Sequence, residues 1–359
     1  MKRAPKEPPA VVLPVGGGKG GIGKSAVAAS LGLALSRLEH RVTLMDADLG
    51  GSDLHNLLGL DNDRPGIGEL LTTRGMVLAD VVYSTAEPGL SFVPGDAMVV
   101  GAANPGFQKK RKLLNAIGRF PADFILLDLG AGTSLTVMDF FLAGPVSLVV
   151  MLPERPAVLS AFNFLKNAVF RALDRILRDN AKTAAVLAQY RSRSRGPGSM
   201  DMAELLASLA RVNPGQGARA TEAVARLRPK LIVNRVHKVD DFAHAGALAR
   251  RVKQDLGLEV EVLGFLPEDE VVRQGAQERR VALELDPRAP FCQAITLCAL
   301  KIAPWAGRGG QWQAHRAFDG SFERAATEFS PLFPPPGQGI PTRSELLARL
   351  AALEIKHQL

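Results

Sequence analysis

A glycine- and lysine-rich run at residues 16–25, GGGKGGIGKS, is the segment of the chain best suited to hold phosphate. It follows an apolar run at 11–15, VVLPV, and opens a stretch with helical periodicity. Glycines allow successive backbone N–H groups to converge on phosphate oxygens, and a helix N-terminus adds partial positive charge. Lys24 would reach the β- and γ-phosphates, and the Ser25 hydroxyl would ligate Mg²⁺. The run therefore predicts a site for a nucleoside triphosphate.

Acidic residues follow two further apolar runs. Asp46 and Asp48 are two residues apart at the end of one run, so their carboxylates point to the same side. Asp128 lies near the end of another, FILLDL at 124–129. Parallel strands bring their carboxyl ends to one edge of a sheet, where α/β proteins bind ligands. Asp128 would hold a water of the Mg²⁺ shell there, and Gly130 would let the backbone approach the γ-phosphate.

The arrangement of apolar segments explains how these groups could meet. Strand-length apolar runs alternate with helical stretches from residue 11 to about residue 303. Such a pattern is typical of a parallel sheet covered by helices on both faces. It predicts a doubly wound α/β fold with a mostly parallel sheet. The predicted strands cover 11–15, 41–46, 124–129, 146–152, 230–234 and 260–266, and the first helix covers 24–38.

The phosphate loop also carries a family resemblance. KGGIGKS, with an additional lysine at Lys19, resembles the deviant Walker A motif of the MinD/ParA ATPases, which are P-loop NTPases of the SIMIBI type. The resemblance implies ATP and Mg²⁺ as cofactors and a homodimer formed with ATP. In that dimer Lys19 reaches the partner's nucleotide, and it acts with Lys24 in hydrolysis. The implied loop contacts to nucleotide are Gly18, Lys19, Gly20, Gly21, Ile22, Gly23, Lys24, Ser25 and Ala26.

One loop position departs from the family pattern, and the acidic residues take roles by the same resemblance. Ala26 stands where Thr or Ser is frequent, so a side-chain contact to the α-phosphate would be missing. FILLDLGAG resembles the Walker B pattern. The resemblance assigns Asp48 to orienting the attacking water and places Asp46 near the Mg²⁺ shell. Ser25 and Asp128 complete the implied metal site.

The base-binding residues are assigned by resemblance as well. Asn234, in LIVNRV, resembles the residue that hydrogen-bonds adenine. Leu266, Pro267 and Glu268, in LGFLPEDEVV, resemble the segment that walls the adenine ring. The structural alternative is a strand end followed by a helix that begins at a proline. Preference for adenine over guanine rests mainly on this resemblance.

Two acidic motifs indicate a branch of the family. DLGAGTS at 128–134 and DADLGGSDLHNLLG at 46–59 are similar to FlhG-type MinD-like proteins, which regulate flagellar number. The resemblance implies a slow ATPase that acts as a spatial regulator of cell division or of flagellar number or placement, through protein partners. The N-terminus, MKRAPKEPP, lacks the DQA-type signature with which that branch activates a partner GTPase.

Charge supplies a second hypothesis. The net charge is +8, and the segment from Lys166 to Lys253 holds 18 Lys and Arg against 7 Asp and Glu. This region could bind DNA phosphates without sequence preference, as ParA proteins do, or serve only as a solubilising surface. Five of its cations recur at roughly helical spacing: Lys166, Arg171, Arg175, Arg178 and Lys182.

The predicted domain organisation is one ATPase domain over 10–303 with an Arg-, Ser- and Gly-rich insertion at 191–219. Residues 304–342 contain many Pro and Gly residues, which predicts a linker or extended tail. A final helix is predicted over 343–359. It could dock on the protein's own core or on a partner, which its balanced charge favours, or lie on a membrane. One face of that helix carries Leu346, Leu350 and Leu353.

The sequence also argues against several other classes of protein. The N-terminus lacks the apolar core of a secretory signal, so we expect a cytoplasmic protein, with association at the membrane or nucleoid left open. Cys292 and Cys298 lie in an apolar stretch and predict buried thiols rather than the cysteines of an iron–sulfur carrier. The two tyrosines, Tyr83 and Tyr190, do not form the cluster of a tyrosine autokinase.

Overall fold

The computed structural model describes residues 9–48, 51, 53–95, 106–144, 146–193, 201–306 and 321–334, with part of 341–351. Its strands are β1 Val11–Gly16, β2 Val42–Ala47, β3 Tyr83–Ser84, β4 Leu90–Val93, β5 Phe124–Leu129, β6 Leu148–Met151, β7 Lys230–Val236 and β8 Glu261–Pro267. They form one sheet in the order β3-β4-β2-β5-β1-β6-β7-β8. Every neighbouring pair is parallel except β3 and β4. The predicted α/β fold is confirmed.

The central strands are buried on both faces, as their unbroken apolar sequences require. All six residues of β1, β2 and β5 and all four of β6 are buried. The six strands predicted from sequence are present, with ends shifted by at most two residues. Strands β3 and β4 were not predicted, because they contain only two and four residues and are partly exposed. They extend the sheet at the margin beyond β2.

Helices cover both faces of the sheet. They are α1 Lys24–Ser36, α2 Leu54–Leu57, α3 Ile67–Thr72, α4 Phe107–Ile117, α5 Leu135–Phe141, α6 Arg155–Leu177, α7 Ala181–Arg193, α8 Met202–Val212, α9 Pro214–Arg226, α10 Ala243–Leu256, α11 Glu270–Glu278, α12 Ala282–Leu285, α13 Pro290–Ile302 and α14 Phe322–Phe329. The chain passes from β1 to β2 in one direction and from β5 over β1 to β6 in the other. Because parallel crossovers are right-handed, α1 and α5 lie on opposite faces. Helix α13 packs with α1, whereas α5 and α10 pack with α6.

The direction of winding reverses at β1, and this positions the site. The crevice at the carboxyl end of β1 lies between crossovers that leave on opposite faces, and ligands of doubly wound proteins bind at such a switch point. The loop at residues 16–25 begins there. Sheet topology therefore brings the ends of β2, β5 and β1 to the predicted phosphate loop.

The predicted insertion is more regular than its composition indicated. A single helix, α6, is enough to connect β6 to β7, yet α7, α8 and α9 follow it before β7 begins. Buried apolar residues hold these helices together, and α7 and α9 pack against α6. Asp201 and Asn213 accept hydrogen bonds at the N-termini of α8 and α9. Residues 194–200, which belong to the Arg-, Ser- and Gly-rich start of this segment, lie outside the described part.

The segment predicted as a linker contains a packed helix. Helix α14 lies against β8, with Ala325 and Phe329 buried. Glu328 of α14 pairs with Lys301 of α13 at 2.6 Å and with Arg324 at 2.7 Å. Proline and glycine content concealed this helix because its few apolar residues are spaced for one packed face. The predicted final helix at 343–359 falls almost entirely outside the described residues.

Two smaller predictions concern the core and the membrane. Cys292 and Cys298 are buried in α13, and burial raises the pKa of each thiol to about 12. Both thiols are therefore unreactive core groups. No helix within the described residues combines the length and apolarity that crossing a bilayer requires.

Candidate functional site

The glycine-rich loop adopts a backbone conformation that only glycine takes without strain. Gly21 and Gly23 have φ values of 71° and 87°, in the left-handed region. Helix α1 begins immediately afterwards at Lys24, which is 9% exposed. The free N–H groups of the first turn of α1 therefore point into the concave side of the loop, and Lys24 is held beside them. This is the arrangement of a phosphate site.

Two carboxyl groups lie at adjacent strand ends beside the loop. Asp46 on β2 and Asp128 on β5 are register partners, and Asp128 also pairs with Val15 of β1. Both aspartates are buried. The Asp46 carboxylate accepts a 3.1 Å hydrogen bond from the Asp48 N–H on one oxygen and a 3.1 Å bond from the Leu54 N–H on the other. Backbone donors therefore fix Asp46 in place.

Asp128 has an unsatisfied buried oxygen. Its Oδ1 atom has no hydrogen-bond partner. Burial and the nearby Asp46 raise the pKa of Asp128 to about 8, although the hydrogen bond from Ser25 and the charge of Lys24 act in the opposite direction. An orphaned buried carboxylate oxygen beside a serine hydroxyl and a second carboxylate suits a hard cation.

The donor set fits magnesium. No cluster of three or more His, Cys, Asp or Glu side chains able to hold a metal occurs in the part of the chain that the structure covers. Mg²⁺ differs from zinc in this respect, since it retains several waters and takes only one or two carboxylates together with substrate phosphates. Ser25, Asp46 and Asp128 would hold the hydrated ion, which would neutralise phosphate charge.

Asp48 lies directly over the segment after β5. A Cβ atom at Gly130 would fall 2.8 Å from Asp48 Oδ1, so only glycine allows this approach. The Asp48 side chain is partly exposed, unlike those of Asp46 and Asp128. It therefore presents a carboxylate to solvent beside Gly130.

The two loop lysines have different environments. Lys24 is buried against the loop interior, whereas Lys19 is exposed at the outer start of the loop, between Gly18 and the exposed Gly20. The loop therefore has one lysine buried against its interior and one on its outer surface.

Asn234 lies beneath the loop. It is buried at the end of β7, and its Nδ2 atom donates a 2.9 Å hydrogen bond to the Ile22 carbonyl oxygen. A Cβ at Gly23 would fall 2.3 Å from that Nδ2 atom. The structure thus gives Asn234 a contact that sequence reasoning missed, namely support of the loop from below. One amide N–H and the Oδ1 atom are left for a base.

The predicted adenine wall divides into buried and exposed parts. Leu266 is fully buried and Pro267 is buried, so both contribute to the core of β8. Glu268 is exposed and lies 3.1 Å from His237 across the β7 and β8 ends. Of the three residues, Glu268 alone presents its side chain to solvent, which the strand-end interpretation explains equally well.

The model of the CobQ/CobB/MinD/ParA nucleotide binding domain matches residues 14–281. The chain belongs to this family. This MinD/ParA-type protein is 27% identical over 318 residues to the antiactivator FleN of Pseudomonas aeruginosa, a match that covers 85% of the chain and 90% of FleN. It is 29% identical over 156 residues to the flagellum site-determining protein YlxH of Helicobacter pylori, which covers 42% of the chain and 50% of YlxH.

Solved structures show the same fold. The septum site-determining protein MinD from Pyrococcus horikoshii, in complex with Mg-ADP, matches with a TM-score of 0.57 and 21% identity, over 82% of this chain and 96% of that one. The cell division ATPase MinD of Pyrococcus furiosus matches with the same TM-score and identity, over 83% of this chain and 100% of that one. The predicted resemblance to MinD/ParA proteins, and to the FlhG-type branch within them, is confirmed.

Arginines of the basic face predicted on α6 make ion pairs within this MinD/ParA-type chain. Arg171 and Arg175 both bind the buried Asp139, and Arg191 of α7 pairs with Asp174 at 2.6 Å. Sequence spacing could not show this, because Asp139 lies more than 30 positions upstream of both arginines. Of the five cations with helical spacing, Arg171 and Arg175 are therefore engaged by a carboxylate of the protein itself.

Proposed function

We propose that this protein is an ATP-dependent dimerising switch with slow ATP hydrolysis. In this role it would be a MinD/FlhG-like spatial regulator of flagellar number or placement, or of cell division. The contrast between buried Lys24 and exposed Lys19 on one loop carries the proposal, because it supplies one cation for the bound triphosphate and leaves another free for a second molecule.

The proposed nucleotide site uses the observed loop and acidic cluster. Backbone N–H groups of residues 18–26 and Lys24 would bind the phosphates of ATP. Ser25 and Asp128 would hold hydrated Mg²⁺, with Asp46 beside them. The orphaned Asp128 oxygen supports this assignment, since an unsatisfied buried acceptor is costly unless a ligand engages it.

The proposed hydrolytic step depends on Asp48 and Lys19. Asp48 would accept a hydrogen bond from the attacking water and hold it in line with the γ-phosphorus. Lys19 of a second copy would lie against the transferring phosphoryl group and stabilise its developing charge. Sites that position water without a stimulating partner turn over at about 10⁻⁴ to 10⁻² s⁻¹ in related P-loop systems.

The cellular role is proposed from the relatives' names. FleN is described as an antiactivator and YlxH as a flagellum site-determining protein. A regulator that changes its self-association with ATP could act on either flagellar or division machinery. A ParA-like DNA function is less favoured, because arginines on α6 pair within the protein. Peripheral membrane contact through residues 343–359 remains a prediction that vesicle pelleting with ATP would test.

Three variants test the switch. Lys24→Ala should abolish binding of MgATP, measured by calorimetry. Lys19→Ala should retain binding yet lose both ATP-dependent dimerisation, measured by light scattering, and hydrolysis. Asp48→Ala should retain ATP-bound dimers but not turn over. Lys182→Ala, which removes an exposed lysine on α7, is the control and should behave as wild type. Intact dimerisation and hydrolysis in Lys19→Ala would disprove the proposed switch.

A further inference from the structure

Asp139 is the centre of a buried ionic cluster on the face opposite α1. Its carboxylate accepts hydrogen bonds from Lys110 Nζ at 2.8 Å, Arg171 Nε at 2.7 Å and Arg175 at 2.8 Å. The cations belong to α4 and α6, whereas Asp139 belongs to α5. Asp139 is 3% exposed. The cluster therefore joins three helices through one carboxylate.

The carboxylate of this cluster stays ionised. Burial acts to raise the pKa of Asp139, but hydrogen bonds from Arg171, Lys110 and Arg175 outweigh it and lower the pKa to about 2. Charge-assisted hydrogen bonds of this kind are stronger and more directional than contacts between apolar groups. The cluster can therefore fix the relative orientation of α5 and α6, not only their distance.

The helices joined by Asp139 lead to the two flanks of Lys19. On one flank, a Cβ at Gly18 would fall 2.3 Å from the Ser160 carbonyl oxygen of α6. On the other flank, a Cβ at Gly20 would lie 3.8 Å from the Cβ of Ala131, in the segment between β5 and α5. The backbone that carries Lys19 is thus held between α6 and the segment leading into α5.

A second contact between the same helices lies beneath the loop. The rings of Phe141 on α5 and Phe164 on α6 meet edge to face, with centroids 4.8 Å apart. A Cβ at Gly16 would fall 2.7 Å from Phe164. The apolar contact sets the separation of α5 and α6 next to β1, and the ionic cluster provides the second point that defines their orientation.

We propose that Asp139 is a positioning residue for Lys19. By holding α5 against α6, it sets the direction in which Lys19 leaves the loop toward the partner's nucleotide. This inference rests on the proposed function of Lys19. Lys24 and Ser25 begin α1, which lies on the other face of the sheet, so binding of the triphosphate to its own loop depends less on the cluster than the direction of Lys19 does.

Asp139→Asn is the variant that tests this role, because it keeps the side-chain size while removing the charge. A misplacement of about 1 Å can cost about 10²-fold in rate, and we expect turnover and ATP-dependent dimerisation to fall about tenfold or more. The Kd of MgATP should stay within about threefold of wild type. Arg175→Gln, whose side chain is 35% exposed, is the milder variant and should show an intermediate loss.

Glu328→Gln is the matched control. It also neutralises a buried carboxylate bound by two cations, Lys301 and Arg324, but on α14 beside β8. It should lower thermal stability while leaving turnover, dimerisation and MgATP affinity at wild-type values. A loss of stability alone therefore cannot produce the pattern expected for Asp139→Asn.

The outcomes separate the two proposals. Wild-type turnover in Asp139→Asn and Arg175→Gln, an equal loss of turnover in Glu328→Gln, or a parallel loss of MgATP affinity in Asp139→Asn would each overturn the positioning role. If the unaltered protein neither dimerised with ATP nor hydrolysed it, the proposed function would fall instead.

Discussion

Asp46 and Asp128 face each other as register partners on β2 and β5, with both carboxyl groups buried at the carboxyl end of the sheet. Only Asp46 has both oxygens engaged by backbone N–H groups, and Asp128 retains an unpaired oxygen. Burial and the neighbouring Asp46 both disfavour the charged form of Asp128, and a cation between the carboxyl groups and phosphate would relieve this.

Asp128→Asn should stabilise the ligand-free protein and abolish the effect of magnesium. Removal of a buried carboxyl group with one unpaired oxygen should raise the free energy of unfolding by on the order of 1 kcal/mol, measured by urea denaturation at pH 7.5. The rise in Tm that ATP produces should no longer depend on Mg²⁺. Asp123→Asn, just before the other end of β5, removes a carboxylate paired with Arg41 and should retain the Mg²⁺ effect. A wild-type Mg²⁺ effect in Asp128→Asn would contradict the metal assignment.

Asn234→Ala should weaken the binding of every nucleoside triphosphate, not of ATP alone. The substitution deletes the hydrogen bond to the Ile22 carbonyl and opens space below Gly23, so the loop loses its support. Leaving a buried acceptor unsatisfied costs about 1–3 kcal/mol, which corresponds to about 5- to 150-fold in affinity if the loop alone relaxes. Calorimetric titration with ATP and with GTP measures the affinity for each nucleotide. A loss confined to ATP would assign Asn234 to base recognition instead.

Glu328→Ala should loosen α14 without affecting nucleotide binding. The change leaves Lys301 and Arg324 beside the core without their carboxylate partner. Removing one partner of a buried ion pair costs about 3–5 kcal/mol of stability. Hydrogen exchange should accelerate selectively in residues 322–329. Glu323→Ala removes an exposed carboxylate from the same helix and should change exchange little. Protection of α14 equal to wild type in Glu328→Ala would show that the ion pairs do not hold it.

Acid should remove the contribution of Asp139 to stability. Its pKa is lowered from 3.8 to about 2, so its ion pairs contribute fully above pH 4 and are lost as the pH falls toward 2. The difference in unfolding free energy between wild type and Asp139→Asn should be constant from pH 7 to about pH 5 and narrow by pH 3. Urea titrations across this range provide the measurement. A difference that widened in acid would have the wrong sign for a stabilising carboxylate.

The sequence predicts the site where local signals suffice. Strands β1, β2 and β5 are largely apolar runs, and their carboxyl ends carry the loop and the acidic groups, so topology alone brings Lys24, Asp46 and Asp128 together. The support given by Asn234 to Ile22 could not be predicted, because that bond spans 212 positions and depends on the local path of β7.

Charge pattern was the least reliable guide. Arg171 and Arg175 have the spacing of an exposed basic stripe, but a single acidic residue on the neighbouring helix binds both. Helix α14 shows the same limitation, since Glu328 is polar in sequence yet buried between two cations. Which charges are solvated is decided by tertiary partners that no short window of sequence contains.

The two margins of the sheet have a consequence for how copies of this protein can meet. Phe322 of α14 lies within 4 Å of the position of a Cβ at Gly246 on α10, while Glu328 binds α13, so α14 crosses the outer side of β8. At the opposite margin β3 contributes only two residues. Sheet edges that are short or covered offer few free backbone groups to a strand of another molecule. This protects the protein against fibrous aggregation even when it is concentrated locally.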